Sequence, residues 1–268
     1  MGFFYKAAGG GEGVEEYANY DALPSGTEGA TARTTNTNQT WRFSTACSCW
    51  VPSDFYSSGL AIANDTGSNP INFTSPQISD FSGLSGYHAG GTVTDVAGGV
   101  EVSGTSSVFN FSREATTGDC LLIFGIDYTS GGTQPYYLSG LTLTSNVNPG
   151  GHVRFFPGGA NKALTNQMVT AQAFGTLGSQ TRPDEGISYS NGDLFFFKWN
   201  EQELTNRNED QLFAELRHQD TASPMRSNYL WQAGSTSDEY FKYTKIACVN
   251  FTNGYASKLT RLQFLKYT

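Results

Sequence analysis

Seven consecutive residues, Cys120-Leu121-Leu122-Ile123-Phe124-Gly125-Ile126, run without a polar interruption. A strand with one wet face alternates apolar and polar residues, so an unbroken run fits a strand buried on both faces. Periodicity alone also admits a buried helix. The flanking Gly118-Asp119 and Ser130-Gly131-Gly132 cut the run to strand length and favour the strand. Asp193-Leu194-Phe195-Phe196-Phe197-Lys198-Trp199 is a second strand of the same character.

The rest of the chain agrees with an all-β reading. Aromatics make up 14% of the residues and charged residues only 15%, with 31 Gly. Aromatic and Thr side chains suit a pleated surface, and Gly and Asn suit the turns between strands. This many aromatics excludes disorder for most of the chain. Thr92–Val96 and Val100–Val102 flank Gly98-Gly99, which reads as a hairpin or bulged turn. Asn191-Gly192 is expected to join Ile187–Ser190 to Asp193–Trp199, and Asn253-Gly254 to join Ile246–Thr252 to Tyr255–Leu265, both as tight antiparallel hairpins. One helix is expected over 207–218, with Asn208 as cap, Glu209 and Asp210 in the first turn, and Leu212, Phe213 and Leu216 on one face.

Residues 1–40 differ in composition, with the run Gly9-Gly10-Gly11-Glu12-Gly13 and the small polar stretch 25–40. They read as an extended N-terminal arm ordered only by contact with another surface. Residues 41–268 then form a single antiparallel, jelly-roll-like β-sandwich, with a possible subdivision near 150–185.

The formal net charge of −8 disfavours a nucleic-acid partner, because an acidic surface repels phosphate. Acids gather at the start (Glu12, Glu15, Glu16) and cations at the end (Lys258, Arg261, Lys266), so the two ends are candidates for docking within or between chains. No apolar stretch approaches the roughly 20 residues of a membrane span, and the N-terminus lacks the shape of a signal peptide. Buried free thiols are expected for Cys47, Cys49, Cys120 and Cys248, with one long-range disulfide as the alternative. Their spacing does not suit zinc, and no metal or cofactor is expected.

Catalytic constellations are sparse. His88, His152 and His218 have no nucleophile elbow near them in sequence. The Gly9–Gly13 run lacks the Gly-Lys-Ser/Thr ending of a phosphate loop. Glu201 and Glu203 alternate next to Trp199, which suits paired glycosidase carboxylates on one strand face beside a sugar platform. A solvated strand end explains the same residues without chemistry, so no catalytic residue and no enzyme activity are expected. Tyr136, Tyr137, Trp199 and Trp231 are candidate ligand-binding aromatics, because exposed rings beside Asn, Asp and Gln form sugar platforms and interface anchors.

The low-charge composition, the start MGFFYKAAGGGEGVEEY and the stretch from Thr117-Gly118-Asp119 through CLLIFGIDYTSGGTQP to LSGLTLTS resemble bacteriophage virion proteins of the tail, fibre or decoration type. The resemblance covers about thirty residues and implies a sandwich displayed in several copies on a virus particle. The implied function is structural, in assembly or surface attachment, with other virion proteins, further copies of the chain and a host surface glycan as partners. The alternative is a carbohydrate-binding or carbohydrate-cleaving β-sandwich.

Overall fold

The apolar run becomes the middle of the molecule because both of its faces find a partner layer. In the computed structural model Leu121 and Ile123 join one buried cluster, while Cys120, Leu122, Phe124 and Ile126 join another on the opposite face. The structure describes residues 13–56, 61–64, 70–113, 118–130, 139–145, 152–155, 163–164, 187–188, 191–201, 203–204, 211–220, 225–230, 239–240, 243–250 and 256–268.

In chain order the elements are β1 (Glu15–Tyr17), β2 (Thr31–Thr34), β3 (Gln39–Ser44), β4 (Cys49–Pro52), β5 (Ile62–Asn64), β6 (Asn72–Thr74), α1 (Ile78–Ser82), β7 (His88–Val96), β8 (Gly99–Ser112), β9 (Gly118–Ser130) and β10 (Ser139–Ser145). They continue with β11 (His152–Phe155), β12 (Ala163–Leu164), β13 (Ile187–Ser188), β14 (Phe195–Glu201), β15 (Glu203–Leu204), β16 (Gln211–His218), β17 (Met225–Leu230), β18 (Glu239–Tyr240), β19 (Tyr243–Asn250) and β20 (Ala256–Tyr267). Strands β1 to β4 form a small sheet. The pairs β12–β13 and β15–β18 stand apart, and the remaining strands form one sheet of twelve.

That large sheet becomes a sandwich because β8 belongs to both halves. Its first part, Val100–Ser103, pairs with β20, and its last part, Ser107–Ser112, pairs with β19. Between them Gly104 and Ser106 take positive φ angles of 76° and 55°, which bend the strand from one layer to the other. The edge of β20 that β8 leaves is filled by β6 and β5. Phe109, Phe111, Leu141 and Leu143 on one side then meet Phe124, Phe195, Phe197 and Phe264 on the other. The short helix α1 inserts Phe81 against Phe73, Phe109 and Phe111, with ring centroids 4.9–5.4 Å apart. A reciprocal Gln77–Asp80 capping box sets its start. The result is an all-β, antiparallel, jelly-roll-like sandwich, and the β7–β8 hairpin at Ala97-Gly98 forms as its glycines suggest.

The described part of residues 1–40 lies on another surface of the same chain. It supplies β1, β2 and the start of β3, and the small sheet lies on the outer face of β9, β14 and β20. Ala32, Thr34 and Trp41 point inward. Thr34 suits a buried place because its hydroxyl accepts from Trp41 Nε1 at 2.9 Å and meets Thr37 Oγ1 at 2.7 Å. The covering explains why β9 and β14 read as nearly continuous apolar strands.

Four expectations are corrected. Residues 211–218 of the expected helix are strand β16, held between β14 and β17. Pairing sets Leu216 beside Phe197 in the inner core and turns Arg217 to the small sheet, and this burial outweighs a helical preference worth tenths of a kcal/mol per residue. Neither Asn-Gly pair joins the expected partners: β13 pairs with β12, and β14 pairs with β9 and β16. After Asn253-Gly254, β20 pairs with β8 and β9, whereas β19 pairs with β8 and β10. Finally, Cys47 and Cys49 are joined to each other by a disulfide, while Cys120 is buried in β9. The bridge closes a loop of about three residues, so replacing both with Ser should cost only about 1.6 kcal/mol, read as a small drop in urea midpoint.

Candidate functional site at one end of the central sheet

Strands β14 and β20 finish, and β9 begins, at the same end of the central sheet, and their register sets which polar residues meet there. Trp199 of β14 lies opposite Cys120, Asn200 opposite Asp119 and Glu201 opposite Gly118 of β9. On the other side of β9, Cys120 lies opposite Lys266 of β20. Adjacent strands sit about 4.8 Å apart, so these residues share one compact rim.

The cations at this rim are anchored. Lys266 Nζ lies 2.8 Å from Cys120 Sγ, and Arg113 Nη2 lies 3.6 Å from the same sulfur while its guanidinium stacks 4.4 Å over Phe264. Lys198 donates to the Phe55 carbonyl at 3.3 Å and sits 4.8 Å over the Tyr267 ring. Arg217 is clamped by Asp54, by Glu215 and by the Gln39 side chain, and so ties β16 to the small sheet.

The other expected residues fall elsewhere. Glu203 opens β15 and lies opposite Tyr240, so it and Glu201 belong to different sheets. Tyr136, Tyr137, Trp231 and Glu12 lie outside the described residues. Glu15 accepts from the Tyr17 hydroxyl at 2.7 Å, and Glu16 pairs with Arg33 at 3.3 Å. Lys258 pairs with Asp127 at 3.2 Å, and Arg261 donates to the Cys47 carbonyl and to Gln263.

The histidines are placed structurally. His88 is exposed on β7, and His152 lies opposite Thr144. His218 is buried, with both ring nitrogens engaged. The Asp220 backbone N–H donates to Nδ1 at 3.2 Å, so Nε2 carries the proton and donates to Asp193 at 2.9 Å. Gln219 extends this network, donating to Asp193 and Asp21 at 3.2 Å, and Asn36 donates to Asp220 at 2.9 Å. The network bolts the small sheet to the start of β14, at the end of the central sheet away from Trp199 and Glu201. Among the described residues no group of three or more His, Cys, Asp or Glu is arranged to hold a metal ion. No helix among them is long and apolar enough to cross a membrane.

Nearby, the Tyr20 hydroxyl donates to the Trp50 carbonyl at 2.8 Å. Burial pushes this phenol far above its ordinary range, and the Arg261 charge opposes that shift. An unfolded tyrosine ionises near pH 10, so the stabilisation is full below about pH 10 and is lost as pH rises beyond it. Wild-type stability should therefore fall above that point, and Tyr20→Phe should flatten part of the fall in a urea-midpoint series.

What the sequence misses here is Asp119 as the partner of Asn200, and Lys266 as the residue across Cys120 from Trp199. They are far apart in the chain, and only the pairing of β9 with both β14 and β20 joins them.

No family model and no curated protein sequence matches the chain. Among solved structures, it is similar to a marine PL-14 alginate lyase from Aplysia kurodai, at 11% identity and a TM-score of 0.44 over 70% of this chain and 92% of that one. It is also similar to peanut lectin (10% identity, TM-score 0.42, 78% of this chain and 97% of that one) and to lectin I-B4 from Griffonia simplicifolia (12%, 0.41, 73% and 98%). The expectation of a structural virion, tail or decoration component is corrected: no sequence match supports it, and none of these three structures is a virion protein. The described acids of the N-terminal segment, moreover, find partners within the chain and lie on a sheet that covers its own core.

Proposed function

We propose that this chain binds carbohydrate, without cleaving it, at the rim where β14 and β20 end and β9 begins. The observation that carries the reading is the register of β14 on β9, which sets Trp199 and Glu201 on one face of the rim and Asn200 with Asp119 on the other. An indole offers a face for the C–H surface of a sugar ring, and carboxylates and amides take up its hydroxyls. All four residues stand on paired strands, which hold a site more rigidly than loops do. The net charge of −8 favours glycans over nucleic acid.

Binding without cleavage rests on the carboxylates. A two-carboxylate glycosidase needs its acids about 5–10 Å apart across one bond. Glu201 ends β14 and Glu203 begins β15, which pairs with β18 in a separate sheet, so the two do not alternate along one strand face as the paired-acid reading requires. The test is a glycan array followed by calorimetry on the strongest ligand. Trp199→Ala should weaken binding about tenfold or more, which is about 1.4 kcal/mol of stacking. A silent array, or a Trp199→Ala variant that binds like wild type, sinks the proposal. Release of reducing ends that Glu201→Gln abolishes would favour the cleaving alternative instead.

A further inference from the structure

The Asn191-Gly192 pair is the motif that neither the fold nor the proposed site absorbs. It does not close the hairpin its sequence suggests, yet it stands as an exposed turn before β14. Asn-Gly is also the most labile dipeptide of an unmodified chain. The nitrogen of the glycine attacks the preceding side-chain amide carbon, and no Cβ stands in the way.

We propose that Asp127 locks this turn against deamidation of Asn191. Gly192 N donates to Asp127 Oδ1 at 2.8 Å. The other carboxylate oxygen is held by Lys258 Nζ at 3.2 Å, and the Asp127 side chain is only 6% exposed. Asp127 and Lys258 are direct cross-strand neighbours on β9 and β20, so the acceptor is fixed by the central sheet and not by the turn itself.

The chemistry runs as follows when unlocked. The Gly192 nitrogen gives its proton to hydroxide or water and bonds to Asn191 Cγ. The Cγ–Nδ2 bond breaks and ammonia leaves, giving a succinimide. Water opens that ring to aspartate or isoaspartate, so one water is consumed and one ammonia released. The lock opposes the first step in two ways. A carboxylate facing the N–H disfavours the amide anion that must form, by like-charge repulsion. The hydrogen bond also holds the nitrogen in a plane set by Asp127, and it must break before the attack. The turn is exposed, so water and hydroxide reach it freely and exclusion of solvent cannot supply the protection.

The test follows the peptide containing Asn191 by mass spectrometry in the full-length protein, aged at mildly alkaline pH. Three samples are compared: native wild type, wild type unfolded in guanidinium, and native Asp127→Ala. Native wild type should deamidate at Asn191 about ten- to a hundredfold more slowly than the unfolded chain, the rate equivalent of a hydrogen bond to a charged acceptor. Asp127→Ala should recover most of the unfolded rate. Asp127→Asn keeps an acceptor of the same shape without its charge, serves as the second variant should the alanine variant not fold, and is expected to fall between the two. Equal rates in native and unfolded wild type overturn the proposal. So does a folded Asp127 variant that ages at the wild-type rate.

Discussion

Phe196→Ala is expected to cost about 3–5 kcal/mol and to loosen the small sheet before the sandwich. Phe196 is fully buried on the outer face of the central sheet. Its ring lies 5.7 Å from that of Trp41 and 6.1 Å from that of Tyr20, both carried by residues 13–52. Its neighbours Phe195 and Phe197 face the inner core instead. Alanine at 196 therefore opens a cavity between the small sheet and the rest, while alanine at 197 opens one between the two halves of the sandwich. Urea unfolding should show a similar loss for both variants. Limited proteolysis should separate them: cleavage within residues 13–52 should rise under native conditions for Phe196→Ala and not for Phe197→Ala. Equal protection in the two variants would mean that this ring does not hold the small sheet down.

Gly99→Val should be nearly as damaging, at about 1–3 kcal/mol or more, because it strikes backbone. A Cβ at this position would lie 2.1 Å from the carbonyl oxygen of Leu259 and 3.0 Å from its carbonyl carbon. Leu259 is paired with Val100, so neither strand can yield without breaking the ladder that ties β8 to β20. The same ladder begins the strand that links the two halves of the sandwich. The expected readout is a lowered urea midpoint together with faster amide exchange in β8 and β20. A valine at Gly98, whose Cβ would meet nothing within 4 Å, is the control for its neighbour: its cost is confined to the positive φ of 80°. If the two variants lose equal stability, backbone contact at Gly99 is not the cause.

The candidate site was only partly readable in the chain. Trp199 and Glu201 stand out as an aromatic beside a carboxylate, and the structure sets them on one strand. Glu203 looked like the natural partner of Glu201, two residues away on the same face. The structure assigns it to β15, while Asp119, more than eighty residues earlier in the chain, comes opposite Asn200. Cross-strand partnership is a property of two strands together, and neither strand's own pattern encodes it.

By itself, the sequence determined the class of the fold. The unbroken run at Cys120–Ile126 required a strand covered on both faces, and the aromatic, Thr- and Gly-rich composition required many strands and turns. The tertiary structure decided which strands pair. It took β14 from the Asn191-Gly192 hairpin and set it between β9 and β16, and it turned Gln211–His218 from an expected helix into β16. It also laid residues 15–52 over the central sheet. The physical reason is one of scale. Turn and helix preferences are worth tenths of a kcal/mol per residue, whereas burying one Phe or Leu side chain is worth about 1.5–3 kcal/mol. Where Phe195, Phe196, Phe197 and Leu216 could all be buried at once, local preference gave way.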